Sequence, residues 1–327
     1  MKNTVGGLCR RLLSYSVLSV AFAVASPLYG QTFTPAPGYS ASKLFDVPVG
    51  QTVSGLEFDA GGNAFYLVGN GTTLSTRLER RSLGDSYATP AVLFDYGAPK
   101  FGSFVRLNAG KLYFGESSSG TIRVHDLGLG TTSPLATVLG NYDLDFGGGA
   151  GWLSANPGFA GNKIFKLDLS SGATTQVLGS GDYSGPVAVD AAGQLYYGAT
   201  GFIVGGNIYR YSSVEANAGG LTLDAGHVWS PNSGNAFFDL DGSQGLYQTD
   251  FSTVNRFNLA TGAATAVGSS TNSIGNLASA SGVLAVTVTS YGVTAATNQS
   301  AVFAVVPEPS SAMLFAFGVI ILARRRK

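Results

Sequence analysis

Apolar and polar positions alternate along most of this chain in short runs that are separated by clusters of Gly, Asn, Asp and Ser. "TIRVHD" at Thr121, "KIFKLD" at Lys163, "NIYRYS" at Asn207 and "VNRFN" at Val254 are runs of this kind, rich in β-branched and aromatic residues. A near-two-residue period bounded by turn formers predicts half-buried strands. Outside the two chain ends no long stretch carries the 3.6-residue period of an amphipathic helix.

The runs recur. Ser82, Asp126, Asp168, Ser212 and Asn258 close equivalent strands, at spacings of 44, 42, 44 and 46 residues. "LDLSSGATTQVLGS" at Leu167 and "FNLATGAATAVGSS" at Phe257 are nearly superimposable. The other half of each repeat is a pair of strands around a tight turn, as in "LEFDAGGNAFYLV" at Leu56 and "VAVDAAGQLYYGA" at Val187. A period near 45 made only of strands and turns predicts a β-propeller, one four-stranded blade per repeat. The last repeat has only three strands, ending with "SAVFAVV", and "KLFDVPVG" at the other end of the body can supply the fourth. The expected fold is therefore all-β: a six-bladed propeller over residues 43–306, closed by an N-terminal strand, with 31–42 as a linker. Seven blades or an irregular β-sandwich are the alternatives.

Both ends read as addresses. Lys2, Arg10 and Arg11 precede the run "LLSYSVLSVAFAVA", and Ala23 and Ala25 form an A-x-A exit, which predicts a cleavable signal helix over residues 1–30. The lone cysteine, Cys9, lies in that segment, so the exported body has no thiol for a disulfide or a Cys-ligated metal. At the other end Pro307, Glu308 and Pro309 precede a short apolar run, Ala312 to Ala323, and then Arg324, Arg325, Arg326 and Lys327. The run is short for a hydrocarbon core about 30 Å thick. The cations behind it resist translocation and make it a stop signal and a short transmembrane helix.

This tail resembles the PEP-CTERM sorting signal of Gram-negative bacteria. The resemblance covers residues 307–327 and implies processing by an exosortase. Pro307, Glu308 and Pro309 would be its recognition positions, the apolar run a temporary anchor in the inner membrane, and Arg324, Arg325 and Arg326 the retention signal. It further implies a cell-surface or extracellular destination, in bacteria that make extracellular polysaccharide.

Charge changes the picture once the ends are set aside. The whole chain has nineteen basic and nineteen acidic residues, but seven of the cations lie in the two addresses and one of the acids is Glu308. The body carries twelve basic and eighteen acidic residues, about −6, which argues against nucleic acid or an anionic membrane surface as a partner.

No catalytic constellation stands out. Asp59, Asn108, Asp145, Asp190, Asp241 and Ser279 close the first strand of each repeat, where short polar side chains accept backbone hydrogen bonds at turns. "DLD" at Asp143 and "DLDG" at Asp239 carry fragments of a calcium-loop spacing, without the further ligands that a hard cation wants. The blade pattern "P-x-A-V-D-x-x-G-x-L-Y", Pro186 to Tyr196, resembles NHL and SMP-30-like propellers. Lactonases of the latter kind hold a divalent metal in the channel, and that resemblance nominates Glu57, with Asp239 and Asp241 as further candidates for Ca2+. Arg80, Lys166, Arg210 and Arg256 share one position in four repeats. They are candidates for binding an acidic polysaccharide, or for laying their stems between blades and pairing with acids. His125 falls at a packing position, and His227 lies close to Asp224 without a nucleophile motif. "GGGAG" at Gly147 has no helix after it and cradles no phosphate. The expected role is a binding or structural module at the cell surface or in the extracellular matrix, the alternative a metal-dependent lactonase-like hydrolase.

Overall fold

The computed structural model describes residues 30–159, 161–179, 185–199, 206–231, 233–242 and 244–308. The expected signal helix, the C-terminal apolar run, Pro309 and Arg324 to Arg326 lie outside the described residues. Within them, no helix is long and apolar enough to cross a membrane.

The protein is an all-β propeller. Two strands, β1 (Thr34–Pro35) and β2 (Tyr39–Asp46), precede the repeats. Antiparallel meanders follow: β3 (Gln51–Phe58), β4 (Ala64–Asn70), β5 (Thr76–Arg81) and β6 (Ala91–Asp95), then β7 (Gly102–Asn108), β8 (Lys111–Glu116), β9 (Thr121–Asp126) and β10 (Thr131–Thr137). Next come β11 (Asn141–Gly147), β12 (Ala150–Ala155), β13 (Lys163–Leu167) and β14 (Thr174–Gly179). The meander of β15 (Val187–Val189), β16 (Leu195–Gly198), β17 (Ile208–Tyr211) and β18 (Val228–Ser230) carries a helical turn, α1 (Ser213–Ala218), after its third strand. β19 (Phe237–Leu240), β20 (Gly245–Thr249), β21 (Thr253–Asn258) and β22 (Ala264–Ser269) accept β1 as a fifth strand. β23 (Ser273–Ala280), β24 (Val283–Ser290) and β25 (Gln299–Pro307) are completed by β2, and a single parallel bridge, Gln299 to Gln51, joins β25 to β3.

The opening strands β3, β7, β11, β15, β19 and β23 touch in that order, and β23 returns to β3. They approach closely. A Cβ on Gly55 of β3 would lie 2.8 Å from the backbone nitrogen of Val105 in β7, so no side chain fits there. The apolar clusters lie between one meander and the next rather than within one. Phe65, Leu67 and Leu78 pack on Val105, Leu112 and Phe114. Trp152, Ile164 and Val177 pack on Val187, Leu195 and Tyr197. Alternation along each strand therefore buries both faces, which is why Tyr66, Tyr196, Tyr197 and Tyr211 are essentially inaccessible.

Turn chemistry follows the sequence in several repeats. Asp59 accepts the amides of Asn63, Asp190 those of Ala192 and Gln194, and Asp241 those of Gln244 and Gly245. Ser212, like Ser82 before the 3-10 turn Leu83–Asp85, starts a helical segment, unlike Asp126, Asp168 and Asn258. It is the N-cap of α1, in a capping box with Glu215.

The stretch expected as a linker, residues 31–42, is built into the fold. Gln31 and Phe33 are buried, Thr34 and Pro35 pair with Ser269 and Gly268, and the closing strand begins at Tyr39 rather than Lys43. Its few apolar residues are too widely spaced for a periodic signal, and long-range partners decide their place. Phe45 anchors the closure: it is buried against the rings of Tyr66 and Tyr87, 5.4 and 5.8 Å away, with the Arg81 guanidinium 4.7 Å from its centroid. Phe45→Ala is expected to cost about 3–5 kcal/mol in urea unfolding, the range for a deleted core aromatic ring.

Candidate functional site

The first strands converge on a buried ion cluster. Arg106 of β7 reaches across the axis: its Nε donates to the carbonyl of Leu144 in β11 at 2.9 Å and its Nη2 to that of Phe238 in β19 at 3.0 Å. The same guanidinium is 2.9 Å from Asp143 Oδ1 and 3.6 Å from Asp239 Oδ1, and these three side chains are 11%, 5% and 14% exposed. One guanidinium thus ties β7, β11 and β19 together.

Neighbouring carboxylates serve the backbone. Glu57 accepts the amides of Phe58 and, on the next meander, Leu107. Asp143 accepts those of Leu144 and Val187, and Asp145 those of Phe146 and Val189. Each side chain bridges one first strand to its neighbour through a backbone donor that would otherwise go unsatisfied at the crowded axis. Ser279 bridges in the opposite sense: its hydroxyl donates to the Leu240 carbonyl at 2.6 Å.

Burial dominates the titration. It pushes Glu57 up to about 7 and Asp145 up to about 6 and raises Asp143 and Asp239 as well, against the pull of Arg106. Burial also works against the Arg106 cation, but Asp143, Asp239, Glu57 and Asp145 together hold it above its ordinary value. Asp239 Oδ2 is buried with no hydrogen-bond partner, an arrangement that costs less for a protonated carboxyl than for a carboxylate.

A resident divalent cation does not fit this donor set. Both Glu57 oxygens are engaged by amides, and the centre among the carboxylates is filled by a guanidinium. Asp241 lies outside the cluster, held by two turn amides and by Arg256 Nε at 2.7 Å. Among the described residues no three His, Cys, Asp or Glu side chains come together as a metal site.

Asp145, expected at a turn, faces the cluster instead; Gly147 stands at the corresponding strand end, two residues later. Arg106 was not singled out in the sequence. A signal was present: "LEFD", "VRLN" and "FDLD" each place a charged residue two positions before the turn residue, at Glu57, Arg106 and Asp239.

The four aligned cations have neighbours within the fold. Each stands opposite an aromatic residue on the second strand: Arg80 opposite Phe65, Lys166 opposite Trp152, Arg210 opposite Tyr196 and Arg256 opposite Tyr247. Lys166 Nζ is 5.8 Å from the Trp152 ring and 2.6 Å from Asn217 Oδ1, and Arg256 is paired with Asp241. Only Arg80 of the four is exposed. His125 is buried and bonded to Thr132. His227 is held at the surface between Asp224, at 2.9 Å, and Glu215, at 3.3 Å, both of which raise its pKa. Ser212 donates to Glu215 rather than to the imidazole, so no nucleophile–base pair exists there.

Residues 305–327 match the PEP-CTERM protein-sorting motif. The motif implies exosortase processing and export to the surface or exterior of the cell. No curated protein matches the chain in sequence. Among solved structures it is similar to regucalcin, a calcium-binding protein of Agrobacterium tumefaciens, at 16% identity over 83% of this chain and 96% of that one, TM-score 0.57. It is also similar to a PQQ-bound aldose sugar dehydrogenase of Streptomyces coelicolor, at 12% identity over 83% and 99%, TM-score 0.56. A chain of a nidogen/laminin complex matches at 12% identity over 71% and 90%, TM-score 0.55. At these identities the likeness is one of fold, a β-propeller.

The cluster makes stability depend on pH with a definite sign. Carboxyl groups raised in the folded state bind protons more tightly there than in the unfolded chain. Stability therefore falls as pH rises from the unfolded values, 4.5 for Glu57 and 3.8 for Asp145, through the folded ones at about 7 and about 6. Glu57→Gln is expected to flatten that decline by on the order of 1 kcal/mol between about pH 5 and 8 in urea titrations. Arg106→Met is expected to cost about 3–5 kcal/mol at high pH, where it strands buried carboxylates, and less at low pH, where they are protonated.

Proposed function

We propose that this is an exported, exosortase-sorted protein whose propeller is a rigid binding or structural module of the cell surface or extracellular matrix. Counting each four-stranded meander as a blade gives six, with β2 completing the last and closing the ring, residues 43–306 forming its bulk. The observation that carries the reading is the Arg106 cluster. Acidic side chains engaged by a guanidinium and by neighbouring backbone amides support the reading of a structural hub, and among the described residues no three His, Cys, Asp or Glu come together as a site for a catalytic cation. The fold supports hydrolases and dehydrogenases as readily as scaffolds, so the side chains at the axis decide.

Thermal unfolding in calcium and then in EDTA tests this. A specific site filled at about 100 times its dissociation constant would add about 2.7 kcal/mol. The expected result is no shift and no hydrolysis across a lactone panel. A calcium-dependent rise with turnover would establish the lactonase-like alternative.

In the matrix the module would meet extracellular polysaccharide, and co-sedimentation with the polysaccharide of the producing cells tests for that contact. Retention is expected to survive high salt, because three of the four aligned cations are not exposed and Lys166 and Arg256 are bonded within the protein. Retention lost in salt, and lost again in Arg210→Ala with Arg256→Ala, would restore the cationic-ring reading.

A further inference from the structure

The sorting motif overlaps the fold. The matched segment begins at Val305, inside β25, which runs on to Pro307. Val305 lies between two strands, opposite Leu284 of β24 and Ala41 of β2. The β24 ladder ends there. Val306 and Pro307 continue opposite Ser40 and Tyr39 of β2 alone, and the amide of Glu308 donates to the Gly38 carbonyl at 2.8 Å. Pro307 lacks a donor and faces Tyr39, whose own amide turns to Ala36 at 3.0 Å, so the proline leaves no ladder bond unmade. The first residues of the motif are thus held by the strand from the opposite end of the chain.

That strand is uneven along its length. A register shift between Lys43 and Phe45 divides it. Beyond the shift Phe45 and Val47 are buried and hold the ring shut, whereas Gly38 and Ser40 are exposed and Tyr39 and Ala41 only half-buried. The half over the motif packs on the core of the last sheet only through the half-buried Tyr39 and Ala41, whereas Phe45 and Val47 are buried, so it opens locally at lower cost than the anchored half. A bulge separating two such halves lets one lift while the other stays.

A processing enzyme that takes an extended peptide needs the backbone that β2 occupies. We propose that β2 shields the sorting motif, and that C-terminal processing passes through a state in which Tyr39–Ala41 has lifted from β25 while Phe45 keeps the ring closed. The device goes beyond the module reading above and concerns access to the motif, whatever the propeller binds. It couples the two ends of the chain, because a protein whose N-terminal strand has docked offers less motif than one whose strand is still free.

Processing followed by intact mass over time, in cells that carry the exosortase, tests this on the full chain. Glu308 N–Gly38 O fixes the alternation so that Ser40 and Val306 form a hydrogen-bonded pair, and Ser40→Pro removes a donor from it. Its processing is expected to be roughly threefold faster or more, with the ring intact. Ala41→Cys with Val305→Cys joins a non-hydrogen-bonded pair, whose Cα separation of about 4.5 Å admits a disulfide in an oxidising exterior. This variant is expected to slow processing about tenfold or more and to recover in reductant, since a closed lock removes the open state altogether. If Ser40→Pro fails to fold, the locked pair decides alone. Wild-type rates in the locked pair overturn the shield. Pro307→Ala with Glu308→Ala serves as control: processing that continues unaltered in it overturns the exosortase reading and the shield with it, whereas loss of processing there with no effect of the lock overturns only the shield.

Discussion

A ring of twisted sheets closes only if its first and last members meet, and in this chain one strand makes that possible. β2 pairs with β25 through seven of its eight residues, so a segment from before the repeats completes the sheet that the last repeat leaves short. Closure removes two open edges and brings the final meander against the first, where Phe45, Ala278, Ala285 and Val302 pack on Val53, Leu56 and Tyr66. Without it the interface clusters would form a row with two exposed ends. The stability of the fold is therefore shared among interfaces that each need the next.

The same geometry sets the character of the axis. The opening strands crowd together there, close enough that Gly55 has no room for a Cβ, and each presents an edge to its neighbours. Glu57, Asp143, Asp145, Arg106 and Ser279 join those edges by reaching from one strand to the next. Low dielectric strengthens each of these bonds and also raises the carboxyl pKa values, which is why one cation suffices for four acids at neutral pH. The chemistry at the axis is that of a fastening. The likeness to regucalcin and to a sugar dehydrogenase is one of fold.

Much of this was legible in the sequence. The near-45-residue repeat, the two-residue period and the turn aspartates followed from local chemistry, because a turn or an alternating strand is decided by residues within a few positions of one another. The sorting tail was legible for the same reason: its motif, apolar run and cations are contiguous. The register of the third repeat was not, and Asp145 went to the turn set because "YDLDFGGGAGW" offers several glycines for one turn.

Tertiary structure alone decided the rest. Whether Arg256 lines a ligand ring or pairs with Asp241 depends on the strand opposite it, and whether Arg106 is free or enclosed depends on strands 37 and 132 residues away. Residues 31–42 have no periodicity, yet Phe33 is buried because β22 and the last sheet lie beside it. The sequence by itself determined the repeat, the strands and the address at the C-terminus. The contacts across the axis and between the two chain ends were decided in three dimensions, because burial and pairing there are set by residues tens to hundreds of positions apart, with no local pattern to record them.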